Sequence, residues 1–172
     1  MSTIERSRSR SFSWSDPEAA AAAGRRMEGL HYLEAIVSGE LPPPPFAEGL
    51  GLSLVEIERG RAVFAMEPAE WMYNALGSVH GGVLATLLDS CMGCAVHSTL
   101  EAGVGFTTSD LHVRYVRAIS ATTGPVLAEG KVVHRGRSTA TAEGRLYVAD
   151  GETLIAHAST GCVILRPEAQ VR

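Results

Sequence analysis

Lysine is almost missing from this chain: of its fifteen lysine and arginine residues, Lys131 alone is a lysine. Positive charge is in deficit as well, with 15 Lys+Arg against 19 Asp+Glu, a net charge of -4 and a pI near 5.9. A nucleic-acid surface is ordinarily basic, so that partner class is excluded, and the short Arg-Ser run at 6–11 does not restore it. The arginine bias suits contacts to phosphate or carboxylate but requires neither. No apolar run reaches the ~18 residues of a spanning helix. The N-terminus has no apolar stretch of the secretory kind, and no membrane partner is expected. Cysteine is scarce and odd in number (Cys91, Cys94, Cys162), which points away from a disulfide framework and toward a reduced, cytoplasmic setting. There is no Gly-x-Ser-x-Gly elbow for a serine nucleophile. Cys91 and Cys94 spell CxxC, but inside a helical pattern rather than at a strand-to-helix junction. His97 follows them without the further ligands a zinc site needs, so no metal and no cofactor are expected.

What is present is an ordinary globular composition, 45% hydrophobic and 20% charged, enough for one domain with a core. Residues 1–26 read as a weakly ordered tail, since the Arg-Ser pairs and the alanine run at 19–23 offer little to pack. In residues 27–45, Leu30, Leu33, Ile36 and Val37 have helical spacing, and Pro42 to Pro45 then favour an extended connector. Residues 46–166 form the domain and 167–172 a short tail. Leu52–Glu58 and Arg61–Met66 predict a hairpin across Arg59-Gly60. Val83, Leu84, Leu87, Leu88, Cys91 and Ala95 predict a helix from Gly81 to about Thr99. Alternation at 110–115, 126–134, 138–148 and 154–165 predicts strands, with turns at Gly136 and Asp150-Gly151. No βαβ alternation occurs. The fold class is α+β, one long central helix wrapped by a five- to six-stranded, mostly antiparallel sheet.

The chemistry concentrates between Asn74 and Asp89. Gly81 and Gly82 open the helix, where first-turn amides lack intrahelical partners and the helix dipole is positive. That combination suits a developing oxyanion, and Asn74 and His80 add polar groups on the adjoining loop. Asp89 interrupts an apolar helix, with Ala85 and Gly93 one turn away on either side, and a carboxylate placed there needs a partner, a cleft or a task. Gly81 and Asp89 lie ~12 Å apart along a helix, so one carbonyl cannot sit ~3 Å from both in a single chain. If both act on one thioester, two chains must pair, each lending one of them: a homodimer.

The run N74-A-L-G77-S-V-H80-G81-G82, with aspartate seven residues after the second glycine, resembles the phenylacetate-pathway-type (PaaI-like) acyl-CoA thioesterases of the hotdog superfamily. The likeness extends over residues 27–165, including TTSDLHVRYVR and VVHRGRSTATAEG. It implies that the Gly81 amide polarises the thioester carbonyl. Asp89 then activates water or attacks directly, and Asn74 and His80 position thioester and water. Thr108, flanked by Thr107 and Ser109, takes the place of a second-subunit hydroxyl. It further implies a homotetramer, and a His134-Arg135-Gly136-Arg137 turn near the nucleotide of coenzyme A. That turn also suits phosphate on its own chemistry, with two guanidinium groups flanking a glycine between strands. Gly82 and the walls Met72, Tyr73 and Leu76 complete the expected substrate site. The expected reaction is acyl-CoA hydrolysis. A hotdog enoyl-CoA hydratase or dehydratase, pairing His80 with Asp89, and a non-catalytic acyl-CoA-binding protein are the alternatives.

Overall fold

The structure is a computed structural model that describes residues 7–166. Three short helices, α1 (Pro17–Gly24), α2 (Gly29–Val37) and α3 (Pro45–Leu50), precede the hairpin β1 (Leu52–Glu58) and β2 (Arg61–Met66). The long helix α4 (Gly81–His97) follows, then β3 (Gly105–Tyr115), β4 (Val126–Arg135), β5 (Thr139–Val148) and β6 (Leu154–Leu165). The six strands form one sheet in the order β1-β2-β4-β5-β6-β3, every neighbouring pair antiparallel.

The sheet wraps α4, whose Leu87, Leu88, Cys91, Met92, Ala95 and Val96 are fully buried against it. Glycine makes the close approach possible. A Cβ on Gly130 of β4 would stand 2.4 Å from the Cys91 carbonyl oxygen, and one on Gly144 of β5 would press on Leu88 and Met92 at 3.1 Å. The hairpin turn is pinned to the far end of the helix, where buried Ser98 accepts the Gly60 amide at 2.7 Å. Gly60 itself has φ +82°, the left-handed conformation a tight hairpin needs. The outer face carries Asp110, His112, Arg114, Glu143, Arg145 and His157, all exposed, as period-two alternation requires. No helix among the described residues is long and apolar enough to cross a membrane.

Two local readings of the sequence are revised. The stretch expected as a weak tail contains α1, because Asp16 caps it by accepting the Glu18 amide at 2.9 Å and Pro17 occupies its first turn. Alanine has the best intrinsic helix propensity, so the run that has no amphipathic face still forms a helix. Residues 1–6 and 167–172 of the two expected tails lie outside the described residues. The Pro42–Pro45 connector is extended only to Pro44, since Pro45 opens α3. Proline forbids a helix interior but is preorganised for a helix start.

Candidate active site

The helix α4 carries two polar loci at different heights. At its N-terminus His80 is the cap, its Nδ1 accepting the Gly82 amide at 2.9 Å. The neutral imidazole therefore bears its proton on Nε2. The Gly81 N–H has no acceptor among the described residues, so it remains the open donor at the positive end of the dipole. On the other side of Gly81, the Tyr115 hydroxyl donates to the Gly81 carbonyl at 2.8 Å. Burial raises the Tyr115 pKa, which keeps the phenol protonated as that donor. A Cβ on Gly81 would meet the Tyr115 ring at 3.2 Å.

Asn74 shapes the loop leading to this locus. Its Oδ1 accepts the Leu76 amide at 2.8 Å, its Nδ2 donates to the Ser78 hydroxyl at 3.1 Å, and Gly77 supplies a φ of +82°. Among the remaining residues expected here, Met72 is buried, while the Tyr73 hydroxyl accepts the Ala121 amide at 2.8 Å. Leu76 is 91% exposed.

Two turns along α4, Asp89 faces β3, and the Thr108 hydroxyl donates to its Oδ1 at 2.9 Å. Of the three neighbouring hydroxyls Thr108 alone reaches the carboxylate; Ser109 instead donates to Asp110 and the Gly161 carbonyl, each at 3.0 Å. Asp89 and Thr108 line an apolar cavity of about 240 Å³ between α2, α3, α4 and the strands, with Phe46, Phe64, Phe106 and Tyr32 in its wall. Met72, Tyr73 and Leu76 do not line it. Cys94 does, and its thiol is pushed up to about 12 by burial, with the Asp89 charge adding to the rise. It is a small wall residue and not a nucleophile. Gly81 opens instead onto a separate groove beside Tyr115, Val116 and Arg117. Within one chain the two loci do not meet.

The His134–Arg137 turn sits at the β4–β5 corner. Arg135 is committed to Glu101, its Nη2 donating at 2.7 Å, and its Nε is buried without a partner among the described residues. His134 and Arg137 are exposed, and the Gly136 amide closes the turn on the Thr139 carbonyl at 2.8 Å.

A single long helix wrapped by an open antiparallel sheet is the hotdog fold. Residues 76–155 match the family model of the thioesterase superfamily. A candidate esterase of Saccharolobus solfataricus is 28% identical over 123 residues, 72% of this chain and 85% of that one. The 1,4-dihydroxy-2-naphthoyl-CoA hydrolase of Listeria monocytogenes is 26% identical over 92 residues, 54% of this chain and 73% of that one. Among solved structures, a candidate thioesterase of Ralstonia eutropha described as phenylacetic acid degradation-related superposes with a TM-score of 0.69 at 27% identity, covering 77% of this chain and 98% of that one. The chemistry these similarities support is that of a thioester hydrolase or esterase.

Tyr115 and the α2–α3 wall adjoin these two loci without any signal in the sequence. Tyr115 lies thirty-four positions from Gly81, and only the fold brings them together.

Proposed function

We propose that the chain hydrolyses acyl-CoA thioesters to free acid and coenzyme A. The observation that carries this reading is Asp89: an ionisable group oriented by a hydroxyl in the wall of an otherwise largely apolar cavity. An apolar cavity of about 150 Å³ is large enough to take benzene, so one of 240 Å³ suits an acyl group. Asp89 acts as general base on water or as the nucleophile itself. On the water route it takes the proton while hydroxide adds to the thioester carbonyl. The resulting oxyanion is held by the Gly81 amide, and collapse expels the coenzyme A thiolate. His80 and Asn74 act through the loop and cap that hold Gly81 open, with Gly82 tied off by His80. Arg137 and His134 are the members of their turn left to meet the nucleotide, since Arg135 is held by Glu101.

Because Gly81 and Asp89 stand at separate heights, the working unit is a homodimer, and two such dimers make the tetramer. β3 supports this directly. It is an eleven-residue edge strand, and a long open edge is a template for pairing. A two-fold axis can pair β3 only with its own copy antiparallel. Centred on His112, with Ser109 taken up in the bulge of β3, that pairing would set Thr108 of one chain opposite Tyr115 of the other. Thr108 holds Asp89 and Tyr115 holds Gly81, so each site receives one locus from each chain. A cytoplasmic setting fits three free cysteines.

The hydratase alternative is disfavoured by His80, whose Nδ1 is consumed in capping. A thiol-release assay over aromatic, short, medium and long acyl-CoAs tests the proposal. Turnover is expected in the native protein, with a loss of ~10²–10⁴ in kcat for Asp89→Asn. Thiol release from no member of the panel, or full turnover in the variant, would overturn it.

A further inference from the structure

Toward the C-terminal end of α4, the Asp89 cavity is lined by three rings. Tyr32 of α2, His97 at the last turn of α4 and Phe106 of β3 stand in series, with His97 centred 5.7 Å from each of the other two. All three line the Asp89 cavity, and all three also line a second cavity of about 270 Å³ on the far side. That second cavity is lined by Ala21 and Gly24 of α1 and by Gly103, Val104 and Gly105 leading into β3. The rings are therefore a partition between two spaces and not merely packing within one.

Each ring is seated on a glycine. A Cβ on Gly24 would lie 2.8 Å from the Tyr32 ring, one on Gly29 would lie 2.8 Å from the His97 ring, and one on Gly93 would lie 3.2 Å from Phe106. Each ring thus packs directly on a backbone position that has no side chain, and a Cβ there would collide with it. Burial lowers the His97 pKa, which leaves its ring neutral near pH 7. Among the described residues, Asp89 is the only carboxylate, lysine or arginine side chain facing the cavity; the other lining groups are apolar, aromatic, hydroxyl, thiol or neutral imidazole.

We infer that the Tyr32–His97–Phe106 partition is the specificity-determining end wall of the acyl site: it admits uncharged acyl groups up to the length of the first cavity and excludes longer ones. This rests on the thioesterase reading for the identity of the ligand, but the wall itself can be tested without turnover. Straight-chain 1-alkanols from butanol to dodecanol would be used to displace anilinonaphthalene sulfonate from the native protein and from the variants Tyr32→Ala and His97→Ala. In parallel, the ratio of kcat/KM for long to short straight-chain acyl-CoAs would be compared within each protein.

In the native protein, affinity is expected to rise about fourfold per methylene and then stop rising once the first cavity is full. In either opening variant the rise should continue for several further carbons into the second chamber, and the long-to-short ratio should increase at least tenfold. The two variants remove different rings from different helices, so the loss of one protein to misfolding leaves the other as the test. A break at the same alkanol length in native and folded variant proteins would overturn the partition. A shifted break without hydrolysis of any acyl-CoA would keep the partition and sink the thioesterase reading.

Discussion

Gly81 and Gly82 are adjacent, yet only one has a free amide. His80 consumes the Gly82 N–H, and the Gly81 N–H is left open. Position 81 is the first helical residue, where proline is tolerated because its missing N–H has no intrahelical partner. Gly81→Pro therefore deletes the oxyanion donor while keeping the helix start, and Gly81→Ala keeps the donor with a similar contact to Tyr115. The proline variant should lose a further ~10²–10³ in kcat relative to the alanine variant in steady-state assays, and equal rates would exclude the amide. Thr108 is a positioning residue for Asp89, so Thr108→Val should lower kcat with little change in KM, and Thr108→Ser should restore it. His97 makes a prediction in pH. Its folded pKa lies below the unfolded value of ~6.5, so the unfolded chain binds the extra proton and stability falls as pH drops through that window. Denaturant midpoints should decline below about pH 6.5 in the native protein, with a shallower slope in His97→Phe. At this scale the site was half legible in the sequence. Asp89 and the glycine pair stand out because each breaks a helical pattern, whereas Tyr115 sits in an unremarkable alternation and acquires its partner only through the fold.

The elements divide along the same line. α4 and the six strands were readable because amphipathic periods of 3.6 and 2 are strong when one face is buried. α1 was not, because a run of alanines from 19 to 23 shows no period, and α3 was hidden behind prolines whose last member begins it. These two helices matter for function, since α3 supplies a wall of the Asp89 cavity and α1 lines the second cavity. The strap before α1 holds α3 in place: the Arg10 guanidinium lies 3.8 Å over the Trp71 ring and also donates to the Gly49 carbonyl. At the helix–sheet interface Gly130 has no tolerance for a side chain. Gly130→Ala should cost about 1–3 kcal/mol or more in urea unfolding, because Cys91 presents backbone and not a flexible side chain. An unchanged midpoint would mean that α4 does not lie this close to β4.

At the scale of the whole molecule, a lone chain has a charged outer sheet face, an open β3 edge and two polar loci facing different grooves. Exposed Tyr115 and Val116 extend that edge beside Gly81, the kind of surface a second copy covers. The spacing of Gly81 and Asp89 calls for two chains if both act on one thioester, although nothing in the sequence marks β3 as an edge strand, since edge position is set by the order of strands in space. The direct measurement is complementation between two inactive proteins, Asp89→Asn and Gly81→Pro, co-expressed so that mixed dimers form. If each site draws one locus from each chain, a mixed dimer has one intact site, and a random mixture should recover about a quarter of native thiol-releasing activity. Activity no higher than that of either variant alone, in a preparation shown to contain mixed dimers, would contradict the shared site.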